Sequence, residues 1–230
     1  MDVYVDLEAP DQHDDDIDGS QGLTATQRRR RRQRLRKKFG RIKQRETQER
    51  PPSWDPSPVY KNSVRPTVHW TGAIRLFRSS KDPLSNFYPC RLLFREKEFK
   101  SVEHAYQAAK AWCGNNEWAA KVIMSVEKAS TAKMKSKLID LSPEQWERWQ
   151  GCRVAVMREL LEHKYHQCER FREALSPNKV FVEATMDDFW AAGAMQYQLR
   201  RVRNPARIEG ANTMGNLLNE LARYGTLRSD

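Results

Sequence analysis

In the stretch FKSVEHAYQAAKAW, residues 99–112, three side chains that can move protons or carry charge recur at helical spacing. Glu103, Gln107 and Lys110 stand at i, i+4 and i+7, offsets that share one face of an α-helix. Val102, Ala105, Tyr106, Ala109 and Trp112 supply the apolar positions. A carboxylate heading such a row can act as acid or base, an amide can orient a substrate, and a lysine can bind an anion or attack a carbon as a free amine. The same spacing describes the solvated face of an ordinary amphipathic helix, so the row alone leaves both readings open. Glu103 falls in the opening turn, where the positive end of the helix dipole favours the ionised carboxylate. A second set of acids, Glu183, Asp187 and Asp188, closes an apolar stretch in VFVEATMDDFW just before Trp190. Acids so placed either cap a turn or wall a site that stabilises a cationic transition state, as in glycoside cleavage. Trp190 either fills core or stacks on a base or ribose.

Other chemistries find no support in the pattern. Cys90, Cys113, Cys152 and Cys168 form no CxxC pair and have no matching histidine spacing. They read as reduced, part-buried thiols of an intracellular protein. His104 has no HxxxH or HExxH companion and reads as a packed or surface histidine. GANTMG lacks the βαβ context and the following acid of a dinucleotide-binding turn. No metal and no cofactor are expected.

The chemistry-bearing residues need elements to hold them. AIRLF and VFVEAT read as strands, and RLLF and KEF as the arms of a hairpin around REKE. KDPLSNFYPC is a turn-rich loop. SVEHAYQAAKAWC is a helix with Ser101 as N-cap, and helical periodicity continues through EWAAKVIMS and TAKMKSKLI. The longest helical stretch is SPEQWERWQGCRVAVMRELLEHKYHQ, opened by Ser142 as cap, Pro143 at the first position and an early Glu144. Residues 169–175 and NTMGNLLNELARYG, closed by Gly225, complete the helices. The sum is an α+β fold: a mostly helical single domain over 67–230 with a small β-sheet.

The net charge of +11 is unevenly spread. Residues 1–27 carry eight acids and no Lys or Arg, net −8, while residues 28–50 carry thirteen Lys or Arg against Glu46 and Glu49, net +11. The basic block is densest at Arg28, Arg29, Arg30, Arg31, Arg32, Arg34, Arg36, Lys37 and Lys38. Like charges at this density repel and do not pack. Residues 1–66 are therefore expected to form a disordered tail: acidic 1–27, Arg/Lys-rich 28–50, and a linker 51–66 punctuated by five prolines. The basic run is expected to grip phosphates with little sequence information, or to be read by a nuclear import receptor, with the acidic block placed to mask it. Only Phe39 interleaves, so the run offers no stacking platform. No apolar run approaches a membrane span, and the acidic start does not have the form of a secretory signal. The expected location is intracellular: nuclear in a eukaryotic host, cytoplasmic otherwise.

Seven motifs in order resemble those of the NADAR domain, the YbiA-like N-glycosidase family, over about residues 71–224. LSNFYP at 84–89 is similar to the family's SNFYP loop, and SVEHAYQAAKA at 101–111 resembles its most diagnostic motif, essentially unbroken. TAKMKSK at 131–137 is similar to A-K-x-x-G-R, and Trp149, Arg153 and Met157 reproduce its W…R…M. HKYHQ at 163–167 resembles the K-F/Y-x-Q segment. VEATMDDFWAAG resembles V-E-A…D-x-x-W-G-x-G, and GANTMGNLL resembles G-x-N-x-x-G-x-L-L. The chain departs from the family at Ala191, in place of a glycine, at Ser136 and Lys137, in place of Gly-Arg, at Asn219, in place of a methionine, and in a hairpin without its glycine.

The resemblance implies a YbiA-like fold and an N-glycosidase acting on a ribose attached to an exocyclic amine. Members cleave ribosylamino-pyrimidine phosphates of early riboflavin biosynthesis or remove ADP-ribose from guanine bases. On that reading Glu103 is the acid–base and Lys110 either the amine that displaces the base as a Schiff base or a binder of hydroxyl or phosphate. Asp187 is an alternative holder of water against the anomeric carbon. Asn86, Phe87, Gln107, Lys133, Trp190, Asn212 and Gly215 are the implied substrate-binding residues, the last helix presenting its N-terminus to phosphate. The leading expectation is removal of ADP-ribose from guanine in nucleic acid or nucleotides, because a basic tail suits a polyanionic substrate. A riboflavin-intermediate glycosidase is the alternative enzyme. An inactive module that binds ADP-ribose or nucleic acid is the alternative of another class, favoured by Ala191 and opposed by the retained Glu103 and Lys110.

Overall fold

The computed structural model of the chain describes residues 55–228. The acidic block and the arginine-rich run, including the expected import or nucleic-acid signal at 28–38, lie outside the described residues.

The architecture is mostly helical, with two small two-stranded sheets rather than one. The strands are β1 (Ala73–Phe77), β2 (Leu92–Phe94), β3 (Lys97–Phe99) and β4 (Lys179–Glu183). The helices are α1 (Val102–Cys113), α2 (Glu117–Ser125), α3 (Ala129–Lys135), α4 (Pro143–Gln167), α5 (Glu169–Ala174), α6 (Gln196–Leu199) and α7 (Thr213–Tyr224). Among the described residues no helix is long and apolar enough to cross a membrane.

Local rules account for the main helix boundaries. Ser101 caps α1 by accepting from the His104 N–H. Ser142 opens α4 in a reciprocal capping box with Gln145, with Pro143 inside the first turn. Gly225, at φ 71°, ends α7 in the left-handed conformation that suits glycine. The helices gather around α1, whose face is apolar enough to bury Val102, Ala105, Ala108, Ala109 and Trp112 completely. Trp112 packs edge-on against Phe99 of the hairpin, and Leu160, Leu161, Leu217 and Leu218 close the same core from α4 and α7. Each such side chain contributes roughly 1.5–3 kcal/mol of transfer free energy.

β1 and β4 pair in parallel, from Ala73 opposite Lys179 to Phe77 opposite Glu183. Among the described residues no third strand closes the free edge of β4; the side-chain amides of Asn212, at the N-cap of α7, and Asn219, within it, do so. Asn219 Oδ1 accepts from the Phe181 N–H at 2.9 Å, Asn212 Oδ1 accepts from the Glu183 N–H at 3.0 Å, and Asn212 Nδ2 donates to the Phe181 carbonyl at 3.0 Å. The helix must lie close for this. A Cβ on Gly215 would sit 2.2 Å from the Phe181 carbonyl oxygen, so only glycine fits.

The β2–β3 hairpin turns on Arg95 and Glu96, both at positive φ (50° and 62°) although neither is glycine. Arg95 is held there by Glu159 at 2.9 Å, by the Asp55 carbonyl at 2.7 Å and by the face of Phe94. Gln167 clamps the same hairpin, accepting from the Leu93 N–H at 2.7 Å and donating to its carbonyl at 2.9 Å.

Residues 55–66, expected as the end of a linker, pack against the domain instead. Tyr60 is buried. Asn62 Oδ1 accepts from the Val154 N–H at 2.8 Å, Arg158 donates to the Ser63 carbonyl, and the Arg65 N–H donates to Glu220 at 3.1 Å. Proline fixes local backbone angles; it does not prevent a segment from finding long-range partners.

Candidate active site

The site residues collect at the carboxyl ends of the parallel pair, the place where strands of this kind commonly present ligands. From Phe77 the chain runs into the loop that carries Asn86 and Phe87; from Glu183 it runs into the turn that carries Asp187 and Trp190. The Ala184 N–H donates to the Phe77 carbonyl at 2.9 Å and keeps the two exits together. Lys164 of α4 sets the first loop. It is fully buried, and its Nζ donates to the carbonyls of Pro83 and Ser85 at 2.7 and 2.8 Å. Burial holds its pKa down to about 8. The Asn86 carbonyl then accepts from the Glu103 N–H at 3.1 Å, which clasps the loop to the first turn of α1.

The row on α1 is not a solvated face. Glu103 and Gln107 are buried, and Gln107 Nε2 donates to Glu103 Oε1 at 2.8 Å. Burial raises the Glu103 pKa, against the lowering effects of the Gln107 hydrogen bond and the Lys133 charge. Glu183 is the second acid. Burial pushes its pKa up to about 7, with Lys133 opposing and the charges of Glu103 and Asp187 adding to the rise. Burial thus raises both carboxyl groups, and the charge of Lys133 opposes the rise in each. Lys133 itself is exposed, its Nζ 5.5 Å from the centre of the Phe87 ring. Two buried acceptors, Asn86 Oδ1 and Gln107 Oε1, have no hydrogen-bond partner. Unpartnered buried acceptors are costly and mark a place where a ligand donor fits.

An aromatic wall flanks the acids. Trp190 meets Tyr106 edge-on at 5.6 Å, and Tyr106 packs on Trp149 at 5.1 Å. Arg153 lies 3.5 Å over the Phe189 ring. Asp187 accepts from the Phe189 and Trp190 N–H groups at 3.0 and 2.6 Å, so it is a turn cap that fixes the tryptophan while its charge still reaches Glu183.

Three expected site residues stand elsewhere. Lys110 is half-buried with its Nζ 5.2 Å from the centre of the Trp146 ring; burial and the Arg153 charge lower its pKa, and no acid of the pair acts on it. Seven residues along a helix is about 10 Å of rise, and the cation that reaches Glu103 comes from α3 instead. Asn212 and Gly215 hold the edge of β4, as described above, and so position Glu183 from behind. The first N–H groups of α7 are taken by the carbonyls of Phe189 and Trp190, which leaves them no phosphate to face. Ala191 is fully buried and stands behind the turn rather than at its rim.

Two residues have roles that the sequence reading left open or did not assign. Glu183 is visible in sequence as an acid at a strand end that either caps a turn or walls a site, and Lys164 as the lysine of the HKYHQ segment with no role assigned. His104 is packed, its ring nitrogens 2.8 Å from Ser101 Oγ and 3.2 Å from the Val126 carbonyl. Among the described residues no group of three or more His, Cys, Asp or Glu is arranged to hold a metal ion.

A mainly helical α+β domain that sets two neutral-leaning carboxyl groups and a lysine beside an aromatic wall is the class that fold and geometry define. The chain belongs to the NADAR domain family, whose model matches residues 76–224. The NMR structure of the Escherichia coli protein YbiA has the same fold, with a TM-score of 0.51 at 24% identity over 74% of this chain and 92% of that one. No curated protein matches the chain.

Proposed function

We propose that the protein is an N-glycosidase that hydrolyses the bond between a ribose anomeric carbon and an exocyclic amine, and that its substrate is ADP-ribosyl-guanine in nucleic acid or nucleotides. The observation that carries this reading is the buried Glu103 held by Gln107 at 2.8 Å, with Glu183, whose pKa burial pushes up to about 7, close enough to feel its charge. A carboxyl group titrating near neutrality can give a proton to a departing amine, and a neighbouring carboxylate can take one from water. A ribosylamine ring-opens to an imine at its anomeric carbon, which an ordinary nucleoside does not do. Lys133, in its neutral amine form, adds through Nζ to that carbon and passes an N–H proton to the imine nitrogen, and the guanine amine leaves with the proton of Glu183. Water, deprotonated by Glu103, adds to the resulting Lys133 imine; the amine is expelled, ADP-ribose is released, and the proton taken by Glu103 returns to Glu183 through solvent. The sum consumes one water and returns the enzyme. Trp190 and Tyr106 supply a wall for base or ribose, and the open acceptors of Asn86 and Gln107 suit ribose hydroxyl donors. The basic run at 28–50 adds electrostatic tethering of a polyanion.

The test is incubation of the full chain with DNA carrying ADP-ribosylated guanine, with free ADP-ribose and restored guanine followed by chromatography. Release that disappears in Glu103→Gln supports the reading. Turnover confined to ribosylamino-pyrimidine phosphates would replace the substrate, and tight binding without turnover of either would replace the enzyme by a binding module.

A further inference from the structure

The chain leaves the site at Ala192 and returns to it at Ala211. The ends of this excursion are pinned side by side: the Gly210 N–H donates to the Ala192 carbonyl at 3.1 Å and the Ala211 N–H to the Asp188 carbonyl at 2.8 Å. The pinch is tight enough that a Cβ on Gly210 would lie 2.5 Å from the Ala191 carbonyl oxygen. The lobe between carries α6 and a single 3₁₀ turn, Pro205–Arg207. Leu199, Val202 and Ile208 anchor it on Val180 and Val182, the face of β4 turned away from the main core. Its outer surface is basic. Arg200, Arg201, Arg203 and Arg207 are exposed, and none has an ion-pair partner among the described residues. Glu209 is the one acid between Gly193 and Gly210. Tyr197 is 72% exposed, far more than an aromatic ring needs for packing.

We propose that this lobe is a phosphate-backbone surface that grips a single nucleic-acid strand beside the site, with Tyr197 stacking on one of its bases. The proposal rests on the functional reading only for its placement, since the lobe is rooted at the Asp187–Trp190 turn. Arginine without a carboxylate partner is suited to phosphate oxygens, and a free aromatic face takes any base. An acidic peptide would use the arginines but has no use for the ring.

The test uses the full chain and an unmodified single-stranded oligonucleotide of about twenty nucleotides, followed by fluorescence anisotropy across a salt series. Replacing all four arginines (Arg200→Gln, Arg201→Gln, Arg203→Gln, Arg207→Gln) should weaken binding and flatten the slope of log affinity against log salt. Each lost single-strand phosphate contact lowers that slope by about 0.7. Tyr197→Ala should weaken binding about tenfold and leave the slope unaltered. Both variants should melt as wild type does, because the changed side chains are exposed. Unchanged affinity and slope in the arginine variant would overturn the proposal. The probe carries no ADP-ribose. Arginine-dependent binding in a protein that proves inactive as a glycosidase would therefore sink the catalytic reading and leave this one standing.

Discussion

The Gln107 side-chain amide donates to Glu103 Oε1 at 2.8 Å, while its own carbonyl oxygen is buried without a partner. One end of the amide fixes the acid; the other is open to a substrate hydroxyl. Glu103→Gln keeps the shape and loses the basic site, so it should cost at least about a hundredfold in rate, the scale of general acid–base catalysis. Gln107→Leu removes the orienting group but no proton-transfer group. It should raise KM about tenfold, the effect of one lost hydrogen bond, with a smaller change in kcat. Steady-state kinetics on one ADP-ribosylated guanine nucleotide separate the two.

Glu183 makes stability depend on pH in an identifiable direction. Its pKa is about 7 in the fold against an ordinary 4.5. Between those values the folded protein holds a proton that the unfolded chain has lost, so stability falls as pH rises through this window, and the whole cost stands above pH 7. The cost is on the order of 3 kcal/mol. Glu183→Gln should therefore raise the melting temperature at pH 8, leave it nearly unaltered near pH 4.5, and remove activity at both. Equal stabilisation at both pH values would mean that burial of the charge is not the cause.

What could be read from the chain beforehand was what local chemistry decides. Ser101, Ser142 with Pro143, and Gly225 announce helix ends through backbone groups within four residues of themselves. The apolar, β-branched run at 180–182 announces β4 in the same way. The parallel pairing of β1 with β4 joins residues more than a hundred positions apart, and no local signal encodes it. The role of the site's lysine is hidden for the same reason: the resemblance implies Lys133 as a substrate binder, while the amine is expected at Lys110. Helical periodicity puts Lys110 on the face of Glu103, but α3 packs against α1 and brings Lys133 to the acids. Polar residues with a tertiary task, such as Lys164 on the loop carbonyls or Asn212 on the strand edge, look in sequence like solvent-facing residues.

The hairpin can be improved. Glu96 is exposed and sits at φ 62°, a conformation that costs a non-glycine residue about 1 kcal/mol or more. Glu96→Gly should stabilise the fold by roughly 0.5–1 kcal/mol in urea unfolding, the relief of strain exceeding the added chain entropy. Arg95→Gly should fail to stabilise, because that residue also holds Glu159 and the Asp55 carbonyl. A gain at Arg95 equal to that at Glu96 would remove the tethering account of the turn.

The segment 55–66 should behave as part of the domain. A chain starting at 55 should melt close to the full-length protein. One starting at 67 deprives the buried Arg158 of the Ser63 carbonyl and the Val154 N–H of Asn62. Unsatisfied buried donors cost about 1–3 kcal/mol each, which corresponds to a melting temperature lower by at least about 4 °C. Calorimetry of the two chains checks this, and coincident melts would return 55–66 to the status of a linker.

The two lysines near α1 separate most cleanly by exchange for arginine. Lys133 is the cation that acts on Glu103 and Glu183, and Lys110 lies against Trp146 and beside Arg153. Arginine preserves positive charge and cannot form an imine at neutral pH. With Lys133 as the nucleophile, Lys133→Arg should be as inactive as Lys133→Ala. Borohydride added to wild type with substrate should leave one covalent adduct that peptide mass spectrometry places on residue 133. Lys110→Ala should keep the adduct and lose less than about tenfold in rate, a lost contact with Trp146 rather than lost chemistry. If the adduct instead maps to Lys110, the helix row does its own chemistry and α1 must rotate toward the acids when substrate binds. If no adduct forms and Lys133→Arg keeps most of the rate, Lys133 acts through its charge alone. Glu103 must then direct water at the anomeric carbon in a single displacement, with Glu183 still protonating the departing amine.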